Sequence, residues 1–222
     1  MTNPAINNLP SKIFITGTDT DAGKTFSTCL LAKYFNQQGL KTVCLKPVAA
    51  GAELINGELR NDDALKLRAA SSEKLGYQQV NPICLEPAIA PHIAAEKIGQ
   101  TLSIDRIEKS LNIDQYSADK LLIEGAGGWL VPLNDHQSFA DLALRLTKNV
   151  VLVVGMKLGC INHALLTVQA IRAAGGNCVG WIANQVDPTM AVYQENLATL
   201  QKSIGVPLIA TVDYDAKQLT IN

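Results

Sequence analysis

The chain has no surplus of charge of either sign: 19 lysines and arginines stand against 20 aspartates and glutamates in 222 residues. Without a basic surplus there is no broad surface to hold nucleic acid or an anionic membrane. Long apolar runs are missing too. The longest are of the kind VVLVVGM, residues 150–156, far short of the ~20 residues that cross a bilayer as a helix. Histidine is scarce and scattered, at His92, His136 and His163, so no histidine-based metal site is expected. The five cysteines, Cys29, Cys44, Cys84, Cys160 and Cys178, are odd in number, and none forms a Cys-x-x-Cys pair. That suggests neither a zinc ribbon nor a disulfide scaffold. Most sit in apolar runs, where a free thiol is a small core residue. The opening MTNPAINNLPSK lacks the basic-then-apolar layout of a secretory signal. The expectation is a soluble, cytoplasmic protein with no nucleic-acid or membrane partner.

What is present suits a folded globular chain: 47% apolar residues and 18% charged, enough to bury a sizeable core. Short apolar runs read as strands at 13–17, 42–46, 120–125, 150–155, 178–183 and 207–211. They are continuous rather than alternating, as strands buried on both faces tend to be. Helical patterns lie between them at 23–38, 61–70, 103–111, 138–147, 161–174 and 189–203. Strands alternating with helices predict an α/β fold: a doubly wound, mostly parallel sheet flanked by helices, one domain over residues 1–222. Ligands of such sheets bind at the carboxyl ends of the strands. Polar and glycine-rich segments cluster there: GTDTDAGKT after the first run, Lys46 closing the second, Glu124 and GAGG after the third, GMKLGCINH after the fourth and Asn184 after the fifth.

The first of these, Gly17–Thr25, has the ingredients of a phosphate-binding loop but one residue too many. The usual pattern places four residues between the first glycine and Gly-Lys-[Ser/Thr]. Here Thr18, Asp19, Thr20, Asp21 and Ala22 make five, two of them acidic. A strand before it and a helix after it support the phosphate reading. Backbone N–H groups would point at phosphates, Lys24 would reach the β- and γ-phosphates, and Thr25 would offer its hydroxyl to Mg²⁺. The metal needs further oxygens. Glu124, ending a strand before small residues, is a candidate. Asp63 reads equally as a ligand or as an acid favouring the start of its helix. Lys46 at a buried strand end asks for an anionic partner, although, taken alone, a lysine reaching solvent along the sheet edge is the better reading. His163 reads as a helix-start residue, and Trp129 and Trp181 as packing residues.

Taken together, FITGTDTDAGKT, LKPVAAG, NDDAL, APHIAA, IEGAGGWLVPL, VGMKLGCINHALLT and GWIANQVDP resemble the dethiobiotin synthetases, members of the phosphate-loop NTPase superfamily. The lengthened loop belongs to that family, which accounts for the extra residue. The resemblance implies an ATP- and Mg²⁺-dependent cyclo-ligase of biotin synthesis. It would convert 7,8-diaminopelargonic acid and CO₂ to dethiobiotin through a carbamate and a carbamic–phosphoric anhydride. It implies Lys24 and Lys46 as catalytic, and Thr25, Asp63 and Glu124 around Mg²⁺. The nucleotide would be held by Asp21, Ala22, Gly23, Lys24, Thr25 and Phe26, by Asp63 and Glu124–Gly127 (including Gly125 and Ala126), by Asn184 and Gln185, and by Pro207, Leu208 and Ile209. The substrate would meet Thr20, Lys46 and Ala50, with its carboxylate tail near Gly159, Cys160, Asn162 and Tyr193 in a pocket shared by a homodimer.

Three positions depart from the family pattern. Ala50 stands where a hydroxyl residue is common, Gln185 where arginine is common, and the C-terminal DYDAKQLTIN is short. The main rival reading is a nucleotide-switch ATPase of the partitioning or site-determining class. That class usually carries a second lysine early in its loop, where this chain has Asp19 and Thr20. A glutamine-dependent ligase of cobalamin synthesis would need a glutaminase domain for which 222 residues leave no room. A catalytically dead phosphate-loop module would have little reason to retain Lys24, Thr25, Lys46 and Glu124 together.

Overall fold

A computed structural model of the protein describes residues 4–221. Ten strands and nine helices are named here in chain order. A short helix α1 (Pro4–Asn7) precedes β1 (Lys12–Gly17), α2 (Lys24–Gln37) and β2 (Thr42–Leu45). Then come β3 (Val48–Ala50), β4 (Glu53–Ile55), β5 (Glu58–Arg60), α3 (Asp62–Ala70), α4 (Tyr77–Val80), β6 (Ile83–Leu85), α5 (Pro91–Glu96) and α6 (Ile104–Leu111). The chain continues through β7 (Lys120–Gly128), α7 (Phe139–Leu146), β8 (Asn149–Met156), α8 (Cys160–Ala173), β9 (Asn177–Gln185), α9 (Tyr193–Ser203) and β10 (Leu208–Val212).

Six strands make one sheet in the order β10-β9-β8-β1-β7-β2, every pair parallel. From the central β1 the chain runs to β2 and β7 on one side, then crosses to β8, β9 and β10 on the other. That reversal opens a crevice at the carboxyl end of β1, where doubly wound sheets take their ligands. Successive residues of a strand face opposite sides, so each strand feeds two cores. Phe14, Ile123, Leu152 and Trp181 pack with α5–α8 on one side. Ile13, Ile15, Leu122, Val153 and Ile182 pack with Leu31 and Phe35 of α2 and Leu67 of α3 on the other. Continuous apolar strands are the sequence trace of this two-sided burial.

The six long strands and six long helices fall where the sequence predicts, with differences at their ends. β7 runs on to Gly128, so GAGG lies inside the strand rather than after it. Its pairing slips there: Ile15 faces Glu124, but Gly17 faces Gly128, so residues 125–127 bulge beside the crevice. Asn184 likewise lies inside β9, and the last helix starts at Tyr193 instead of 189. The sequence reading missed the short elements: a parallel pair of β3 with β6, an antiparallel pair of β4 with β5, and the helices α1, α4 and α5. Strands of three residues carry too little periodicity to be read. Among the described residues no helix is long and apolar enough to cross a membrane.

The cysteines are free, and Cys44, Cys160 and Cys178 are buried. Burial pushes the Cys178 thiol up to about 11 and, with the Glu124 carboxylate adding to it, Cys29 up to about 12. These pKa values are raised in the folded state, so their stabilising contribution is full below the unfolded value near 9. It is lost as pH rises through the folded values. Stability in urea titrations should therefore hold to about pH 9 and then decline by roughly 1.4 kcal/mol per pH unit for each fully buried thiol. Cys178→Ala should flatten that decline; an unchanged slope would show that its burial is not the cause.

Candidate active site

The loop between β1 and α2 is tied to the sheet at two points. Thr18 N–H donates to the Val153 carbonyl at 3.0 Å, and Gly155 N–H donates to Thr18 Oγ1 at 3.3 Å. The first of the two acids is paired. Asp19 accepts from Thr20 N–H at 2.8 Å and lies 3.6 Å from the Lys157 ammonium. Asp21 absorbs the additional residue by turning into the left-handed region, φ 58°. Gly23 follows with φ 80° as the residue before α2. A side chain there would be strained, and its Cβ would fall 2.0 Å from Asn184 Nδ2. Asn184 supports the loop from behind, donating to the Ala22 carbonyl at 3.0 Å.

Beyond the loop, four side chains converge from four segments. Thr25, on the first turn of α2, donates to Glu124 Oε1 at 2.6 Å. Lys46 follows β2 and donates to the same Oε1 at 2.6 Å, to Asp63 Oδ2 at 3.3 Å and to the Gly125 carbonyl at 3.2 Å. All three of its N–H bonds are thereby used. Lys46 and Glu124 are 4% and 0% exposed, so the lysine does not reach solvent. Asp63 is not the helix cap: Asn61 accepts from Ala64 N–H in that role, while Asp62 pairs with Lys66 on the surface. The acid one position further on is free to turn inward. Glu124 Oε2 is buried with no partner among the described residues.

The electrostatics separate the two lysines. Burial alone would pull Lys46 down, but Glu124 and Asp63 outweigh it and hold its pKa above the ordinary value. Burial opposes ionisation of Asp63 as well, and Lys46, with help from Thr25, keeps its carboxyl below the usual range. Lys24 has no such partner. Its ammonium reaches back to the Asp19 carbonyl at 3.0 Å. Burial, then repulsion from Lys46, lowers it to about 8. A group of anionic oxygens beside Lys24 would restore the full charge.

These residues open on a cavity of about 1540 Å³ lined by Thr20, Asp21, Gly23, Lys24, Thr25, Phe26, Lys46, Ala50, Asp63, Ala126 and Gly127 among the predicted residues. Sequence reading did not single out Cys29 on α2, Val131 after β7, or Ala88–Pro91, which also line it. Apolar lining residues carry no chemical signature by which to find them. Ala22 and Glu124 are buried behind the lining. Other predicted residues lie elsewhere. Ile209 is fully buried in the core, and the backbone carbonyl of exposed Pro207 accepts from Trp181 N–H at 3.0 Å. Leu208 pairs with Trp181 as the start of β10, and Gln185 ends β9, outside the cavity lining.

Gly159, Cys160, Asn162 and Tyr193 form a second grouping away from this cavity. Gly159, φ 92°, caps α8 without a side-chain bond, Asn162 is exposed, and Cys160 is buried. Tyr193 stands close enough to Cys160 for their charges to interact, and its buried hydroxyl has no partner among the described residues. Trp129 and Trp181 are core residues, as expected.

Comparison with known proteins bears on what this geometry is for. A protein-family model described as an AAA domain matches residues 11–220. The ATP-dependent dethiobiotin synthetase BioD of Cellvibrio japonicus (strain Ueda107) is 53% identical over 199 residues, covering 90% of this chain and 87% of that protein. The protein of the same description from Yersinia pestis bv. Antiqua (strain Angola) is 48% identical over 201 residues, covering 90% and 84%. The chain belongs to the ATP-dependent dethiobiotin synthetase family.

It is therefore an enzyme, a ligase of the phosphate-loop type. Solved structures share its fold at far lower identity. A ParA family ATPase from Chlorobium tepidum TLS gives a TM-score of 0.57 at 14% identity, covering 92% of this chain and 85% of that one. The septum site-determining protein MinD from Pyrococcus horikoshii OT3 gives 0.54 at 17%, covering 93% and 82%. Those likenesses establish architecture alone, and the switch-ATPase reading is not favoured beside relatives at about half identity.

Gly23→Ala should leave the fold intact by circular dichroism and weaken ATP binding. The strained backbone and the collision with Asn184 cost about 1–3 kcal/mol, or roughly 5- to 150-fold in affinity. Wild-type affinity in calorimetry would show that the enzyme does not need this loop geometry.

Proposed function

We propose that the enzyme joins CO₂ to one amine of 7,8-diaminopelargonic acid and closes the ureido ring of dethiobiotin, using ATP and releasing ADP and phosphate. The observation that carries this reading is the buried Lys46 ammonium, held at one cavity wall by two carboxylates, with the phosphate-type loop and Lys24 on the adjoining wall. An anionic carbamate and an anionic triphosphate both need neutralising, and two lysines on neighbouring walls of one cavity are suited to that.

The substrate amine attacks CO₂ and loses a proton, leaving a carbamate. A carbamate oxygen attacks the γ-phosphorus of ATP, and the bond to the bridging oxygen breaks with its electron pair going to ADP. The second amine then attacks the carbamoyl carbon, the C–O bond to phosphate breaks, and phosphate leaves as the amine gives up its proton. No side-chain nucleophile is required. The protein orients the reactants, excludes water and offsets spreading negative charge through Lys24, Lys46 and the loop N–H groups. Gathering the reactants in line can remove up to about 7–11 kcal/mol of barrier.

The donor set fits Mg²⁺. Thr25, Asp63 and Glu124 supply hard oxygens within one bonded network, and the unpartnered Glu124 Oε2 has spare capacity for a cation. Bound there, the metal would polarise the phosphoryl oxygens and template the nucleotide. We place the substrate's carboxylate tail at the start of α8, near Gly159, Asn162 and the hydroxyl of Tyr193. Exposed apolar Leu158, Leu166 and Val192 lie on the same two helical segments. They support a homodimer that would close this tail site across its interface. An enzyme spending ATP on a metabolite belongs in the cytoplasm, where both are made.

Phosphate release should require MgATP, the diamine and bicarbonate together. Lys24→Gln and Lys46→Gln should each cut turnover by roughly 100-fold or more, with unchanged circular dichroism. Turnover without the diamine, or near wild-type rates in both variants, would remove this assignment.

A further inference from the structure

Lys46 sits where β2 leaves the main sheet. Its own peptide therefore has no strand partner there, and Pro47 after it has no N–H to offer. The backbone is instead clamped by the α4 segment. Lys46 N–H donates to the Val80 carbonyl at 2.8 Å. Asn81 Nδ2 donates to the Lys46 carbonyl at 2.7 Å and to the Ile83 carbonyl at 3.0 Å. Both amide protons of a side chain only 1% exposed are spent on this.

The same device reaches two more parts of the site through one phenol. Tyr77 O–H donates to Asn81 Oδ1 at 2.8 Å. With its proton committed, the Tyr77 oxygen accepts from Asn61 N–H at 2.7 Å. The Cys84 thiol at 3.2 Å is left as the donor in their contact. Asn61 caps α3, the helix that carries Asp63, and its Nδ2 donates to the carbonyls of Ala50 at 3.1 Å and Gly51 at 3.4 Å. Arg60 covers the other side of the Tyr77 ring, 4.2 Å from its centroid. One buried chain of hydrogen bonds thus runs from Lys46 through Asn81 and Tyr77 to Asn61, and so to both Asp63 and the Ala50 loop. None of its three middle members, Asn81, Tyr77 and Asn61, lines the cavity.

We propose that Tyr77 and Asn81 are positioning residues for this reaction: they hold the Lys46 ammonium and the Asp63 carboxylate in mutual register from outside the cavity. The proposal rests on the assignment of Lys46 and Asp63 made above. Buried networks of this kind are worth most when every member is satisfied, and here the loss of one phenolic oxygen would unpair an amide on each side. The phosphate loop shares no bond with the network, so binding of nucleotide without magnesium, which does not call on Asp63, should be indifferent to it.

The test uses the full chain with Tyr77→Phe and Asn81→Ala. Tyr77→Phe keeps the ring, its burial and its contact with Arg60. Both variants should lose about tenfold or more in kcat for diamine-dependent phosphate release. The affinity for ADP in calorimetry without magnesium should stay within about twofold, as for a group acting only on geometry. In Tyr77→Phe, hydrogen exchange at the Asn61 amide should accelerate in parallel. Wild-type kcat in either folded variant overturns the inference. So does a loss of kcat that tracks the unfolded fraction and vanishes on cooling, which would make the network a stabilising feature only. If wild-type protein itself shows no diamine-dependent release, the assigned reaction fails and the inference falls with it.

Discussion

An ammonium group buried against two carboxylates organises this enzyme's interior. Removing Lys46 and Glu124 from water costs several kcal/mol per ion, and the pair is sustained only because each gains close partners. Lys46 satisfies all three of its N–H bonds, on Glu124, Asp63 and the Gly125 carbonyl. Thr25 shares the Glu124 oxygen. A core of apolar residues would be simpler to stabilise. The arrangement makes sense as a charged surface assembled in advance for anionic reactants, because fixed charges in a dry site need no rearrangement when charge develops.

The fold supplies the convergence. Lys46 and the loop stand at the carboxyl ends of β2 and β1, and Glu124 stands on β7 between them, just before its bulge. Asp63 arrives from α3, and the bulge of residues 125–127 gives β7 a carbonyl to aim at Lys46. Small residues make the bulge feasible: a Cβ on Gly125 would stand 3.0 Å from the Phe14 ring. Behind these, α4 and the β3–β6 pair form a bracket that reaches the chemistry through the backbone of Lys46, the cap of α3 and Ala50 at the cavity wall.

Much of this was legible in the chain. The six long strands announce themselves through unbroken apolar runs, since burial on both faces leaves no polar alternation. The helices carry their own stops and starts: Ser103, Ser138 and Asn61 each cap the helix that follows. Lys24, Thr25 and Glu124 were readable because their chemistry is bound to local spacing or to a strand end. Asp63 and Lys46 were open on spacing alone. Asp63 could cap a helix, and Lys46 could reach solvent along the sheet edge; only their contact with each other and with Glu124 excludes both alternatives. Tyr77 and Asn81 were invisible, because a phenol and an amide in a short irregular segment carry no pattern.

The sequence by itself determined the alternation of strand and helix, the lengthened phosphate loop and the family to which the chain belongs, because each is written in local order and residue type. The tertiary structure alone decided which charged groups meet. It set Lys46 against Glu124 and Asp63, buried Ile209 in the core, and separated the α8 grouping from the main cavity. Partners far apart in the chain are chosen by sheet order and by the cost of burying an unpaired charge, and neither is a property of any single stretch of sequence.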